Sequence, residues 1–363
     1  MNNNALVLSP QQSKNINLLK GLSIVLVVFI HADVRSQLSR YMEMGTTMDV
    51  YMETLTRILV DNAVPMFYFV SGFLFFLHKA SYSDKFKSRI RTLVVPYLFW
   101  CFVGFLIPFV IQRLLGLERL YSGTSLKLLK DFSAPDYIRM FWDIRDGAPI
   151  LSTLWFLRNL IVLVAFTPVI AWLAKHLRFM FPAMLLVTYF FFPWSVPGFS
   201  TNGFCWFAMG AYFSVGGGVN CWKSIENANT RVISLLWSVL LVAVVTAYSI
   251  KWHYEEVMLL FRIVHFVMVY KVVVWLSGSS MERLFSTIAA ASFFIYVFHE
   301  PWMGYIVQLT IKELHPTGLV AYFMPLLFAA VTMGYSYAAY AILQHMAPAF
   351  LNVITGARAK RKR

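Results

Sequence analysis

The sequence predicts an all-α integral membrane protein with about ten membrane-spanning helices. Its 363 residues are 59% hydrophobic and only 13% charged, so a soluble fold would lack polar residues to cover its surface. Apolar runs of about twenty residues, long enough to cross a hydrocarbon core of roughly 30 Å, recur along nearly the whole chain. Lysine and arginine residues fall between these runs. Lipid is therefore the predicted solvent.

The predicted spans, in chain order, are 16–37, 55–77, 92–113, 150–172, 179–194, 201–216, 232–250, 257–276, 286–309 and 319–344. No small-residue cleavage site follows the first run, which we therefore expect to be retained as a helix. The longest stretch outside the spans, 114–149, is too short for a separate domain. Residues 1–363 are thus predicted to form a single membrane domain.

The distribution of basic residues predicts the orientation of the chain. One loop carries Lys79, Lys85, Lys87, Arg89 and Arg91, and a second basic run ends the chain at 358–363. By the positive-inside rule both belong in the cytoplasm, which requires an even number of spans and places both termini inside. Orientation in the membrane also accounts for the net charge of +14, so no nucleic-acid partner is expected.

Ionisable residues inside membrane spans are costly and indicate candidate functional positions. Lys20 and His31 are eleven residues apart in the first span, which places them on one helix face about 16 Å apart along the axis. A neutral imidazole accepts a proton, so His31 is a candidate general base. Asp33 points to nearly the opposite face and is not expected to orient His31. The structural alternatives are a histidine bonded across the helix bundle and a snorkelling lysine.

Two further spans carry polar groups. In the ninth span, Ser292, Tyr296 and His299 share one helix face just before Pro301, which frees a backbone carbonyl. This face is typical either of a cavity lining or of an interhelical hydrogen-bond seam. Arg158 lies about two turns inside the fourth span, deep for an interfacial charge. No metal site is predicted, because the three cysteines form no C-x-x-C pair.

Five segments carry a resemblance to a known family. They are "KGLSIVLVVFIHA", "VPMFYFVSGFLFF", "KFKSRIRTLVVPYLFW", "LWFLRNLIVL" and "SFFIYVFHEP", spread over about residues 20–301. Their order is that of the acyltransferase-3 family of membrane-bound acyltransferases. The chain resembles the stand-alone members, which lack an extracytoplasmic hydrolase-like domain and acylate surface glycans.

The resemblance implies transfer of an acyl group, usually acetyl, from cytoplasmic acyl-CoA to a hydroxyl of a surface or lipid-linked glycan. It also implies a bacterial inner-membrane location. The family's basic-residue-then-histidine pattern falls on Lys20 and His31, and its basic entry to the third helix falls on Lys87, Arg89 and Arg91. Many members have arginine at the first position, whereas a lysine lacks the planar two-donor fork of a guanidinium.

These positions define the predicted site. His31 is the catalytic candidate, as general base or as covalent acyl carrier. The donor phosphates are assigned to Lys20 and to the basic cluster of Lys87, Arg89 and Arg91, which is also expected to gain from a helix N-terminus. The acceptor side is assigned to Arg158, Tyr296 and His299. The alternative functions are a glycan transporter with the same polar cavity and a scaffolding protein. The alternative role of the basic cluster is to fix the topology of the chain only. The resemblance implies no particular oligomeric state.

Overall fold

A computed structural model describes residues 7–77, 80–118, 128–144, 147–215 and 220–356. The basic run 358–363, Lys79 and the glycines at 216–218 lie outside the described residues.

The helices form in the following order. They are α1 (Pro10–His31), α2 (Arg35–Leu38), α3 (Thr46–Glu53), α4 (Ala63–Leu77), α5 (Tyr82–Arg89), α6 (Val95–Phe109), α7 (Ala134–Arg139), α8 (Trp155–Ala165), α9 (Thr167–His176), α10 (Met180–Phe191), α11 (Thr201–Val215), α12 (Cys221–Asn227), α13 (Thr230–Ser249), α14 (Tyr254–Leu276), α15 (Glu282–Leu314), α16 (Gly318–Met346) and α17 (Pro348–Thr355). Strands β1 (Ser195–Val196) and β2 (Phe199–Ser200) pair antiparallel. Turns of π-helix cover Thr54–Ile58, Ile90–Val94 and Val110–Leu114.

The predicted class, an all-α multi-pass membrane protein, is confirmed. Within the described residues, six helices are long and apolar enough to cross a membrane, or up to eight if two bent helix pairs each count as one span. The bent pairs are α8 with α9 and the two halves of α15, while α10 is a shorter apolar helix. The count of ten spans stays a prediction.

The first helix begins earlier than its apolar pattern indicates, at Pro10 instead of residue 16. Ser9 caps it, because the Gln12 amide donates to the Ser9 hydroxyl at 3.1 Å and the Gln12 side-chain oxygen accepts from the Ser9 amide at 3.3 Å. Proline suits the first helical turn, where its missing N–H has no intrahelical partner. As a result Lys20 lies near the middle of α1, not at its start.

The described residues group into two compact units that alternate along the chain. The first contains residues up to 79, 168–193 and 202–341, and the second contains 80–167, 194–201 and those from 342 onward. The single domain over 1–363 stays a prediction.

In the first unit, α1 is packed closely against α15. A side chain at Gly21 would collide with the carbonyl oxygen of Phe285 and lie 3.2 Å from the amide nitrogen of Ala289. Small residues at such positions allow membrane helices to approach closely. Further along both helices, His31 meets His299. The residues in contact increase in number along both helices, so α1 and α15 run in the same direction.

In the second unit, α6 packs against α17. The Trp100 indole donates to the Ile354 carbonyl at 2.9 Å. Gly356 ends α17 with a φ of 63°, a left-handed conformation that favours glycine, and its α-carbon faces the backbone of Thr92. These contacts hold the π-helical turn that carries Arg91 against α17.

Candidate active site

Two imidazole rings meet where α1 ends. His31 is the last residue of α1, and its ring centroid lies 4.9 Å from that of His299 at an interplanar angle of 65°. His31 is half-buried, whereas His299 is 0% exposed. The structure therefore brings together two sequence candidates that are 268 residues apart (299 minus 31).

A hydrogen bond from the His299 side chain defines the neutral tautomer of this residue. Its Nδ1 lies 3.0 Å from the carbonyl oxygen of Ile295, and a carbonyl can only accept, so a neutral His299 carries its proton on Nδ1. Nε2 is then a lone-pair acceptor. That nitrogen is buried and has no hydrogen-bond partner among the described residues. The pair thus contains a proton-accepting nitrogen that the surrounding protein leaves open.

A bend in α15 follows directly after His299. The segments Glu282–Glu300 and Trp302–Leu314 differ in direction by 53°. A proline at position 301 has no N–H, so the carbonyl of Val297, four residues earlier, loses its usual helical donor. The Tyr335 hydroxyl, from α16, donates a hydrogen bond to the His299 carbonyl. The backbone of His299 is therefore held from a second helix.

A network of charges begins two residues beyond His31. Arg35 donates to Asp33 at 2.7 Å and forms an ion pair with the carboxylate of Glu53, also at 2.7 Å. Arg57, on the π-helical turn after α3, approaches the same Asp33 carboxylate at 3.5 Å. The Asp33 carboxylate is thus paired with two guanidinium groups, those of Arg35 and Arg57.

The network continues to the ends of α13 and α14. The Tyr248 hydroxyl donates to Asp49 at 2.8 Å, and the Tyr254 hydroxyl donates to Glu53 at 2.7 Å. Beside them an open cavity of about 800 Å³ is lined mainly by polar side chains. Its lining includes Thr46, Asp49, Tyr248, Ser249, Lys251, Tyr254, Glu255 and Glu256. Such a surface offers many acceptors and a few donors to hydroxyl groups.

The other first-unit candidates, Lys20 and Tyr296, lie on α1 and α15, and Lys20 is about three helical turns from His31. Lys20 is half-buried in the middle of α1, and its ammonium forms no ion pair with any described residue. Tyr296 is half-buried and packs against the apolar core that α1 and α15 share, around Val28 and Ile295.

The basic cluster belongs to the second unit, and its helical setting differs from the expected one. Lys87 and Arg91 are exposed and Arg89 is half-buried. They do not lie at a helix N-terminus, because a continuous helical segment runs from Tyr82 to Leu114. The N-cap is Ser81, whose hydroxyl accepts from the Asp84 amide at 3.1 Å. The prediction that free backbone amides and the helix dipole contribute at this cluster is therefore wrong. Anion binding at the cluster would depend on the side chains.

Arg158 is also in the second unit, at 2% exposure on α8. Its Nη2 donates to the Gly147 carbonyl at 2.7 Å, and its guanidinium carbon lies 5.4 Å from the centroid of the Trp142 ring. The first of these contacts is a hydrogen bond to a loop and the second a cation–π contact. Arg158 thus anchors the loop that precedes α8.

A third buried histidine, His265 of α14, has both nitrogens bonded. Its Nδ1 accepts from the Trp237 indole at 2.9 Å, so the proton is on Nε2, which donates to the Leu59 carbonyl at 3.0 Å. Nearby, Arg262 and Asp61 form an ion pair with two hydrogen bonds. Asp61 and Trp237 are distant from these residues in sequence, so no local pattern links them to Arg262 and His265.

Sequence reasoning also missed most of the network beyond His31. Glu53 lies about 200 residues before Tyr248 and Tyr254, and it meets this part of the chain only through packing of α3, α13 and α14. A usable signal was present at Glu53, a carboxylate beside an apolar run, which is costly unless paired.

The fold and site together define a multi-pass helical membrane protein with a pair of contacting histidines where its first helix ends. A family model described as an acyltransferase domain matches residues 13–341, and the chain belongs to this acyltransferase-3 family. The chain is also similar to a succinoglycan biosynthesis protein, ExoH, of Rhizobium meliloti (strain 1021), with 26% identity over 170 residues. The match covers 45% of this chain and 44% of that relative, so the chain spans less than half of its length. No solved structure matches the chain.

Proposed function

We propose that the protein transfers an acyl group, acetyl in the first instance, from cytoplasmic acyl-CoA to a hydroxyl of a surface or lipid-linked glycan. The observation that carries the proposal is the contact between His31 and His299 within the region matched by the acyltransferase family. A half-buried imidazole beside a second one is suited to proton transfer.

In this reaction His31 is the general base. The proton of the acceptor hydroxyl moves to an imidazole nitrogen of His31 while the hydroxyl oxygen attacks the thioester carbonyl. The carbon–sulfur bond then breaks, and the coenzyme A sulfur takes up the proton and leaves as the thiol. Acyl-His31 as a covalent intermediate is the alternative route to the same products.

The donor is assigned to cationic side chains. Coenzyme A carries several phosphate charges, and Lys87, Arg89 and Arg91 supply an accessible group of three cations. Lys20 is a further candidate, because a half-buried ammonium without an ion pair among the described residues suits an anionic ligand. We propose these residues as the phosphate contacts.

The acceptor is assigned to the polyhydroxyl class. The similarity to a protein of succinoglycan biosynthesis supports a polysaccharide or its lipid-linked precursor. The cavity beside Asp49, Tyr248 and Tyr254 supports the same class, because carboxylates and phenols bind sugar hydroxyls and its acidic lining repels phosphates. Arg158 and Tyr296 remain proposed acceptor contacts. We place the protein in a bacterial inner membrane.

Comparing surface glycans of a gene-deletion strain with the wild type by mass spectrometry tests this function. Loss of the acetyl mass increment at unchanged glycan abundance supports acyl transfer, and loss of a larger acyl increment identifies a different donor. Glycans that keep their acylation while their surface abundance falls would indicate a transporter instead.

The donor assignment has its own test. Replacing Lys87, Arg89 and Arg91 together by Gln should weaken binding of [14C]acetyl-CoA by tenfold or more and make the residual binding less dependent on salt. Lys130→Gln is the matched control, because Lys130 is a basic residue of the same unit already paired with Glu118 at 2.9 Å. Unchanged affinity in a correctly inserted triple variant would leave the cluster with a topological role only.

A further inference from the structure

A histidine that acts as a general base works best when its second ring nitrogen is hydrogen-bonded to a group that fixes the tautomer. For His31 no carboxylate takes this role among the residues that the structure describes. Asp33 is the nearest carboxylate in sequence, and it is held by Arg35 at 2.7 Å and approached by Arg57 at 3.5 Å. The group that orients His31 must therefore come from another element.

His299 meets this requirement. Its Nδ1 proton is directed to the Ile295 carbonyl, so its Nε2 is an acceptor. This Nε2 is fully buried and without a partner among the described residues, and the ring in contact with His299 is that of His31. A neutral His31 has one N–H to donate. Donation to His299 would satisfy a buried acceptor that otherwise remains open.

We propose that His299 is the positioning residue of the reaction: its Nε2 accepts the N–H of His31 and so leaves the other nitrogen of His31 unprotonated, ready to accept the proton of the acceptor hydroxyl. This inference rests on the proposed acyl transfer. During transfer the hydroxyl proton moves to the free nitrogen of His31, which becomes an imidazolium. Its other N–H stays directed at His299, which remains neutral. The added proton then passes to the departing sulfur.

The packing of three helices supports this role. Close approach of α1 and α15 at Gly21 determines the separation of the helices that carry the two rings. The hydrogen bond from Tyr335 restrains the His299 backbone just before the bend in α15. A base that is oriented by a second group on rigid elements is typical of preorganised catalytic sites.

The variants His299→Leu and His299→Gln test the proposal. Leucine removes the acceptor, whereas the amide oxygen of glutamine can replace it without the ability to titrate. Each variant is purified in lipid nanodiscs and assayed with [14C]acetyl-CoA and the lipid-linked glycan fraction extracted from a deletion strain. We expect His299→Leu to lower kcat by roughly 10- to 100-fold, by analogy with the loss seen when a group that orients a metal-ligating histidine is removed, with KM unchanged. His299→Gln should recover most of kcat.

A double variant separates positioning from an independent role. Because His299 acts through His31, His31→Ala combined with His299→Leu should be no slower than His31→Ala alone. His265→Leu is the matched control for loss of a buried histidine, and it should leave kcat per folded molecule unchanged. Wild-type kcat in His299→Leu, or rate losses that multiply in the double variant, would overturn the proposal.

Nitrogen-15 NMR of labelled histidines gives a readout that does not require turnover. His31 should occupy one neutral tautomer in the wild type and a mixture of both in His299→Leu, because the orienting acceptor is gone. An unchanged tautomer of His31 would contradict the inference. A wild-type protein with no acyl transfer, but with a tautomer that responds to His299→Leu, would contradict the proposed function alone.

Discussion

Two buried histidine sites in the first unit invite comparison. His265 is 4% exposed and His299 is 0% exposed, so burial does not distinguish them. His265 has one nitrogen bonded to the Trp237 indole and the other to the Leu59 carbonyl. His299 has one nitrogen bonded to a carbonyl, an open second nitrogen, and another imidazole in contact with it.

The difference separates a structural histidine from a candidate for chemistry. When the protein satisfies both nitrogens, the ring is an interhelical hydrogen-bond bridge and has no site left for a reacting proton. When one lone pair is left open beside a second ionisable ring, as at His299, it can accept the N–H of that ring and leave the other nitrogen of that ring for a reacting proton. At these two histidines, hydrogen-bond completeness is therefore more informative than burial.

The largest effect is expected at His31. His31→Ala should lower the transfer rate by about two to four powers of ten, the usual contribution of a positioned base, and by more if the ring carries the acyl group. His31→Gln should be similarly slow, since glutamine keeps hydrogen bonding without taking up a proton. Rates measured with [14C]acetyl-CoA in nanodiscs check this, and a His31→Gln enzyme at the wild-type rate would make His31 a structural histidine like His265.

A smaller effect is expected where α1 and α15 touch. Gly21→Ala places a methyl group against the Phe285 carbonyl, and overpacking of this kind costs about 1–3 kcal/mol. Separation of the two helices should also lower kcat, because it moves His31 away from His299. Gly304→Ala on α15 is the matched control, since no atom other than those of its chain neighbours and of its own helix backbone lies within 4 Å of the added carbon. Equal thermal unfolding curves for the two variants would refute the close contact.

At His265 a substitution is expected to lower stability and to leave activity unchanged. His265→Leu leaves the Trp237 N–H and the Leu59 carbonyl without partners, so stability should fall by about 1–3 kcal/mol. Turnover per folded molecule should stay at the wild-type level. Chemical denaturation and kcat measured on the same sample check both statements. A fractional loss of kcat larger than the fraction of unfolded protein would show that His265 also affects catalysis, and His265 and His299 would no longer differ in this respect.

The smallest effect is expected at Tyr335. Tyr335→Phe removes one hydrogen bond to the His299 carbonyl, which in membrane proteins is worth about 0.6 kcal/mol on average. The apparent melting temperature should fall slightly, and kcat should fall less than in His299→Leu because the side-chain contact between the rings remains. A kcat as low as that of His299→Leu would show that the backbone bond, not the imidazole, positions His31.

Much of the fold and part of the site could be predicted from single segments. Apolar runs of span length identified an all-α membrane protein, and the structure contains at least six such helices among the described residues. His31 and His299 stood out individually, because ionisable groups in apolar helices are rare. The start of α1 at Pro10 was missed, because the Ser9 cap and its reciprocal hydrogen bonds with Gln12 lie before the apolar pattern begins.

What the sequence by itself determined is therefore local: which segments enter the membrane, which side chains are costly there, and which residues share a helix face. These properties depend on hydrophobicity and on a helical period of about 3.6 residues. Only the tertiary structure decided that His31 faces His299, that Asp33 is occupied by guanidinium groups, and that His265 is satisfied by Trp237 and Leu59. The physical reason is that a helical pattern defines a polar face without defining its partner, and the partner depends on how helices distant in sequence pack together.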